Sequence, residues 1–245
     1  MMKNYLKTQE NEFNQLVGVG LEDLHSIHFK QNQLHGSVVI LHKLSHLSEN
    51  IQWVEQLWHV VSSEPDQRCW TYLPSPAFIT KQELFEKLNH HFNFLESFHY
   101  VIEFKNKIVG WVGLINNRPE HHVIEIGNVY FSHLMKQSTA STEVIYLLLK
   151  TCFEQGFRRV EWKCDALNEP SKNAALRYGF RFEGVFRQDR ISKGRNRNTA
   201  WFSILDEEWR ELEPAYQAWL SSSNFDEKGQ QKIRLHDFKA LYQLE

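Results

Sequence analysis

Cysteine is scarce in this chain. Only Cys69, Cys152 and Cys164 occur in 245 residues, far apart and with no C-x-x-C pair. An odd, dispersed set argues against a disulfide framework or a structural zinc site and fits a reducing compartment. Long apolar runs are also missing: none approaches the roughly 20 residues needed to cross a bilayer. The opening residues, MMKNYLKTQENEF, hold no apolar segment of the kind a secretory signal needs. The expectation is a soluble, cytoplasmic protein. Charge of one sign is lacking too, since the net charge is −2 with histidines neutral. No overall field draws the chain to nucleic acid or acidic lipid. The 13 histidines show no metal-ligand spacing such as H-E-x-x-H, so no metal is expected. No internal repeat or low-complexity tract is visible.

What is present is an ordinary globular composition, 42% hydrophobic and 24% charged, with 13% aromatics that point to a core rich in rings. The length allows one large domain or two small ones. Residues 1–35 are polar and weakly periodic. They read as an arm ordered where Leu16, Val17, Leu21 and Phe29 find a surface. Val38–Leu41 is a strand by composition. Ser48 can cap a helix whose apolar positions are Ile51, Val54, Leu57, Trp58 and Val61. Thr80 and Glu83 form a capping-box pattern ahead of Leu84, Phe85, Leu88 and Phe92. His99–Lys105, Ile108–Ile115 and Val123–Phe131 read as a meander of strands, with a turn at Asn106-Lys107. Ser141–Phe153 is a helix apolar on most sides, ended by Gly156. A strand at Arg159–Cys164, a helix at Pro170–Tyr178 stopped by Gly179, and strands at Phe180–Ile191 and Thr199–Leu205 follow. Ser192–Asn198 reads as a polar turn. From Asp206 the chain reads as helix broken near Pro214, then as a polar segment from Ser221.

The strand–helix–strand unit from Val123 to Cys164 demands a crossover, hence one parallel pair inside a mostly antiparallel mixed sheet. The fold class expected is α/β, with helices on both faces of that central sheet.

Three stretches carry a resemblance. The first is Glu125-Ile126-Gly127-Asn128-Val129-Tyr130-Phe131, and the second is Ser141-Thr142-Glu143-Val144 at the head of the long helix. The third is Asn168-Glu169-Pro170-Ser171 followed by Gly179-Phe180-Arg181-Phe182-Glu183-Gly184. In order and spacing they resemble the RimJ/RimL-like branch of the GNAT superfamily of N-acetyltransferases. Gly194–Phe202 and Glu208-Trp209 are similar to its closing hairpin, and Val38–Leu47 more weakly to its first strand. The likeness covers about residues 36–209. It implies a GNAT fold, with an N-terminal arm at 1–35, an acetyltransferase domain at 36–210 and a C-terminal helical extension at 211–245.

The resemblance also implies chemistry. Acetyl-CoA would be the co-substrate, its pyrophosphate needing convergent N–H donors at a helix N-terminus. The family's glycine-bearing loop aligns with Lys136-Gln137-Ser138-Thr139-Ala140-Ser141, where Thr139 and Ser141 depart from the pattern. Gln137, Ser138, Thr139, Ala140, Ser141 and Thr142 are the candidate phosphate residues. Two readings compete: the hydroxyls of Ser138, Thr139, Ser141 and Thr142 donate to phosphate, or the loop no longer approaches it. Capping is the bland reading of the same cluster.

At the acyl end, a free alkylamine with a pKa near that of lysine, about 10.4, is protonated at neutral pH and needs a base. Alternation sets Glu125 on the strand face opposite Ile124 and Ile126. The family often carries its base on this strand, so Glu125 is the candidate; the alternatives are an ion-paired or solvent-facing glutamate, and Asp165 as a second base. A bulge near Gly127-Asn128 would free amides, Val129 and Phe131 being the donors to the thioester carbonyl. The family's thiolate-protonating tyrosine aligns with Ala175, while Tyr178 is out of register and reads as packing. Ser171 would serve the sulfur and Asn168 the pantetheine arm, with helix capping as the structural alternative for both. Cys164 reads as a strand residue, and Trp162, Trp201 and Trp209 as core rings. The hairpin cations Arg181, Arg187, Arg190, Lys193, Arg195 and Arg197 suit either an acidic partner or plain solubility, the second being preferred.

The function expected is acetyl transfer from acetyl-CoA to a primary amine, a small molecule or a protein N-terminus, by direct attack. The alternatives are another acyl donor such as succinyl-CoA, or a silent acyl-CoA-binding regulatory or scaffolding module. The partner expected is the small-molecule or peptide amine, with no nucleic acid and no membrane; homodimer formation is left open.

Overall fold

In a computed structural model, residues 7–21, 25–44, 50–91, 97–135 and 138–241 are described. Strands β1 (Thr8–Glu10) and β2 (Leu16–Gly18) form a small separate hairpin. The main sheet takes β3 (Gln33–His35), β4 (Val39–Lys43), β5 (Phe98–Phe104), β6 (Lys107–Arg118), β7 (Val123–Phe131), β8 (Arg159–Asp165), β9 (Arg181–Ser192) and β10 (Arg195–Leu205). Their order across the sheet is β3-β4-β5-β6-β7-β8-β10-β9. Every neighbouring pair is antiparallel except β7–β8. That single parallel pair follows from α3 (Ala140–Glu154), which carries the chain from the end of β7 back to the start of β8.

Two apolar clusters seal the two faces. On one, Val144, Ile145, Leu148 and Leu149 of α3 pack with Ile124, Ile126, Val160 and Phe202 from the sheet. Trp209, Leu212 and Tyr216 of α5 (Asp206–Leu220) and Ala175 and Tyr178 of α4 (Glu169–Tyr178) join them. On the other face, Val54, Leu57, Val60 and Val61 of α1 (Ile51–Ser62) and Leu84 and Leu88 of α2 (Lys81–His91) cover Val101, Ile108, Trp111 and Tyr130. The α/β layering with helices on both faces is thus the observed architecture.

Several local expectations change. Ile51 is exposed, Trp58 is only partly buried and Val60 is buried, because the covered face of α1 is centred on Val54, Leu57 and Val61, with Val60 on one flank and Ile51 and Trp58 on the other. Ser48, Phe92 and Gln137 lie outside the described residues. Leu16, Val17 and Leu21 cover no surface; only Phe29 is buried, against Phe98 and Phe157. β3 continues the main sheet from within the stretch read as an arm.

The turn between β5 and β6 is Lys105-Asn106, both at positive φ, one residue earlier than expected. The region read as a turn at Ser192–Asn198 is mostly strand, because Lys193 and Gly194 alone close the hairpin at positive φ. Its polar residues belong to a sheet edge. α5 runs unbroken through Pro214. An interior proline costs about 3 kcal/mol, which burial of Leu212, Ala215, Tyr216 and Trp219 on its core face offsets. The segment after Ser221 ends in α6 (Leu235–Leu241), whose Leu235 is buried in the core.

Candidate active site

β7 and β8 pair over only three rungs, Val123 with Arg159, Ile124 with Val160 and Glu125 with Glu161. Both strands then continue, β7 to Phe131 along β6 and β8 to Asp165 along β10, with no pairing between them. The result is a wedge open at the carboxyl ends of the two strands. Because α3 leaves the end of β7, its N-terminus stands at the same end of the sheet.

Within the wedge β7 is bulged. Gly113 of β6 opposes Gly127 and Trp111 opposes Tyr130, so two steps on β6 match three on β7. The extra residue is accommodated by Asn128, whose φ is 51°. Its side-chain amide donates to Nε2 of the buried His99 on β5, at 3.1 Å. Burial lowers His99 to about 3, so its ring is neutral at physiological pH and Nε2 can accept. Gly113 has to be glycine here, since a Cβ would stand 2.6 Å from His99 Nε2. The expected bulge is present; beyond Glu125, the amides of Val129 and Phe131 belong to a stretch of β7 paired to β6 alone.

Glu125 is 5% exposed, on the face away from α3. Its Oε2 accepts from Asn116 Nδ2 at 2.5 Å and pairs with Lys163 Nζ at 2.9 Å. Its Oε1 points over Gly127, where an added Cβ would lie 3.2 Å from it. One oxygen is anchored and the other is presented toward the bulge. Lys163 also pairs with Glu161 at 3.0 Å and lies 3.8 Å from the centroid of the Trp201 ring. Burial pushes the Glu161 carboxyl up, but Lys163, Arg159 and Arg118 outweigh it and hold the group below its ordinary value. Arg159 continues the chain of charges to Glu183. Three carboxylates and three cations thus alternate across β6, β7, β8 and β9. Trp201, expected in the core, instead covers this polar cluster while packing on Phe186.

Ser171 Oγ accepts from Trp162 Nε1 at 3.0 Å, leaving its own proton to donate, and lies beside Cys164. Asn168 is the N-cap of α4, its Oδ1 accepting from the Ser171 amide at 3.2 Å. Asp165 Oδ1 accepts from the Leu167 amide at 2.9 Å and so helps turn the chain toward α4. Tyr178 is packed against Trp162.

At the head of α3, Ser138 Oγ donates to the Met135 carbonyl at 2.7 Å and accepts from the Ala140 amide. Thr139 is the N-cap, without a side-chain cap bond, and its carbonyl accepts from the Glu143 amide. Ala140 and Thr142 are fully buried, and Thr142 Oγ1 accepts from Arg177 Nη2 at 2.9 Å. The Ser138 and Thr142 hydroxyls are therefore committed within the protein, and what this end presents outward is main-chain N–H of the first turn, with Ser141 partly exposed. Glu143 fixes that turn: its carboxylate accepts from the amides of Ser37, Val38 and Val39 at 2.7, 2.8 and 2.9 Å.

A strap crosses the face opposite α3. Tyr72 donates to the Leu167 carbonyl at 3.1 Å, and Lys193 Nζ donates to the Trp70 carbonyl at 2.6 Å. The loop after α1 is thereby tied to the β8–α4 turn and to the tip of the β9–β10 hairpin. The sequence reading did not single out His99, Asn116, Lys163 or Arg177. Asn116 and Lys163 meet Glu125 through the pairing of the sheet, and Arg177 reaches Thr142 from α4 across to α3.

A parallel pair that parts after three rungs, a bulge in the wedge and a helix N-terminus at the same end are what the GNAT resemblance implies. The family comparison agrees: the GNAT acetyltransferase domain matches residues 52–181, and the chain belongs to this family. A GCN5-related N-acetyltransferase from Brucella melitensis is 36% identical, with a TM-score of 0.85 over 90% of this chain and 100% of that one. A GNAT-family protein from Chromobacterium violaceum ATCC 12472 is 32% identical, with a TM-score of 0.73 over 79% and 96%. RimL, the ribosomal L7/L12 α-N-protein acetyltransferase solved with coenzyme A, shares the fold at 19% identity, with a TM-score of 0.57 over 71% and 97%. A search of curated proteins finds no match. The protein is an acetyl-CoA-dependent N-acetyltransferase. Among the described residues no helix is long and apolar enough to cross a membrane.

Proposed function

We propose that the protein acetylates a primary amine by direct attack, with Glu125 as the base, and that it belongs to the RimJ/RimL-like branch and works in the cytoplasm. The observation that carries the chemical reading is the split use of the Glu125 carboxylate. Oε2 is held by Lys163 and Asn116, while Oε1 looks over Gly127 toward the bulge. A base oriented in this way takes the ammonium proton without having to move.

Acetyl-CoA supplies the activated acetyl group. The residues that would hold it are the amides of Ser141 and Thr142 with Thr139 at the phosphate end, Ser138 and Ala140 shaping the turn through their mutual bond, Gln137 preceding them in sequence, and Asn168 along the arm. Arg177, bound to Thr142, adds a cation beside that helix terminus. Val129 and Phe131 offer amides on the bulged strand for the developing negative oxygen. Ser171, whose Oγ accepts from Trp162 and which lies against Cys164, would turn its hydroxyl proton to the sulfur.

The acceptor is a small molecule or a protein N-terminus, the latter by analogy with RimL. Glu125→Gln tests the assignment, with free CoA release followed over a panel of amines and acetyl-CoA affinity measured by calorimetry. General-base loss predicts a fall in kcat of about 10²–10⁴-fold with affinity kept within twofold. Unchanged turnover would clear Glu125 of the role. Acetyl-CoA binding by the parent without turnover on any amine would favour a regulatory module.

A further inference from the structure

Of the six cations on the β9–β10 hairpin, most are accounted for by what they touch. Arg181 pairs with Glu208 and Arg190 with Asp189, Lys193 is bound to the Trp70 carbonyl, and Arg187 and Arg195 stand in solvent. Arg197 is different. It is half-buried, and its Nε donates to Thr199 Oγ1 at 3.2 Å. Among the described residues no carboxylate lies within ion-pair distance of its guanidinium. The two acids nearest in register are otherwise engaged. Asp189 Oδ2 takes the Thr199 hydroxyl at 2.6 Å and Arg190 Nε at 3.0 Å, while Asp165 Oδ1 takes the Leu167 amide. Burial first, then the charge of Arg190, presses the guanidinium below its ordinary value, and Asp165 and Asp189 offset this only partly.

Arg197 and Arg190 are also direct cross-strand partners. Like charges placed opposite one another destabilise a sheet, and a partly desolvated cation without a counter-ion adds to that cost. The arrangement is relieved when an anion sits between them, bound in the planar, two-pronged way a guanidinium favours.

The position of the pair matters as much as its charge. Thr199, which holds Arg197, is registered with Asp165 at the carboxyl end of β8. Trp201, two residues on and so on the same face, is registered with Lys163, which pairs with Glu125. Arg197 therefore stands at the mouth of the wedge, on the face where Glu125 is presented. Arg197 lies two residues beyond Thr199, about 20 Å along the sheet from the Glu125 rung, and its bond to Thr199 brings the guanidinium back to the level of Asp165, about 13 Å from that rung.

We infer that Arg197, flanked by Arg190, receives a carboxylate or phosphate borne by the acceptor, so that the acceptor is a small amine with a negative group at its far end. This rests on the reading of the wedge as an amine-acetylating site. It also gives the hairpin a role that its composition did not favour, through one of its six cations.

The test uses matched acceptors on the full chain: glycine, β-alanine and 6-aminohexanoate against their carboxamides, and O-phosphoethanolamine against ethanolamine. In the parent, at least one anionic member should exceed its neutral partner about tenfold or more in kcat/KM, the worth of a charge-assisted bidentate contact. Arg197→Gln should bring that ratio near one, and Arg197→Lys should leave it in between. The carboxylate and phosphate arms identify which anion is preferred. A ratio near one in the parent, or one unchanged in a folded Arg197→Gln, overturns the inference while acetyl transfer itself stands. If no member is turned over, the same compounds are titrated calorimetrically into the acetyl-CoA-loaded protein. Anion binding lost in Arg197→Gln supports the inference, and no anion binding sinks it. Failure of acetyl-CoA itself to bind would instead strike at the transferase reading.

Discussion

Lys163→Met removes the cation at the centre of the charge cluster while keeping the length of the side chain. Lys163 Nζ lies 2.9 Å from Glu125 and 3.0 Å from Glu161, with only 8% of its side chain exposed. Glu161 retains Arg118 and Arg159 after the change, but Glu125 is left with Asn116 as its sole polar neighbour among these contacts. Breaking a buried pair from one side costs about 3–5 kcal/mol, because the surviving charge stays buried without compensation. For a chain of this size that corresponds to a fall in Tm of about 6–20 °C. Thermal unfolding followed by circular dichroism measures it. The double variant Glu125→Gln/Lys163→Met removes both members and should recover at least half of the loss, since coupled residues are not additive. A Tm for Lys163→Met within about 2 °C of the parent, or a double variant no better than the single one, would refute the claim that the pair is a buried, mutually dependent unit.

Glu143→Gln keeps the shape but replaces one acceptor oxygen by a donor facing amides of Ser37, Val38 and Val39. A loss of about 1.5–3 kcal/mol is expected, read as a lower denaturant midpoint with faster amide exchange at those three positions; parental exchange there would contradict it. For pH, His99 is lowered from 6.5 to about 3 by burial. A group depressed in the folded state contributes stability that is complete above its unfolded value and declines as the pH falls below it. Between pH 6.5 and 4.5 the loss should be about 2 kcal/mol, and folded His99→Asn should flatten that slope. Glu161 and Glu183, both held below the ordinary 4.5, add their losses only below that pH.

The scaffold was legible where one periodicity dominated. β7 was bounded correctly because apolar residues alternate around Glu125, and α3 because its apolar positions surround the helix. Gly156 and Gly179 stop their helices at positive φ as read. The failures occurred where tertiary contacts overrule local signals. Arg195–Asn198 looks like loop because this end of β10 runs past β8 and pairs with β9 alone, needing few apolar residues, and Pro214 looks like a break until the buried side of α5 is known.

In the site, Glu125 could be nominated from its strand, and the bulge from Gly127-Asn128. The charge cluster could not. Glu161 and Lys163 alternate with Val160, Trp162 and Cys164, the pattern of a half-solvated strand; only the register of β8 between β7 and β10 shows that those charges face one another and are sealed by Trp201. At the head of α3 the sequence leaves phosphate binding and capping open for a similar reason, since the partners of the Ser138 and Thr142 hydroxyls are Met135 and Arg177, one of them distant in sequence.

The strap formed by Tyr72 and Lys193 has a consequence for how the molecule can diverge. Both contacts end on main-chain carbonyls, those of Leu167 and Trp70. A carbonyl is supplied by any residue, so the identities of residues 70 and 167 are free of that particular bond. Side chains around the entrance can therefore be exchanged to suit a different guest while the bridge over it keeps its anchors.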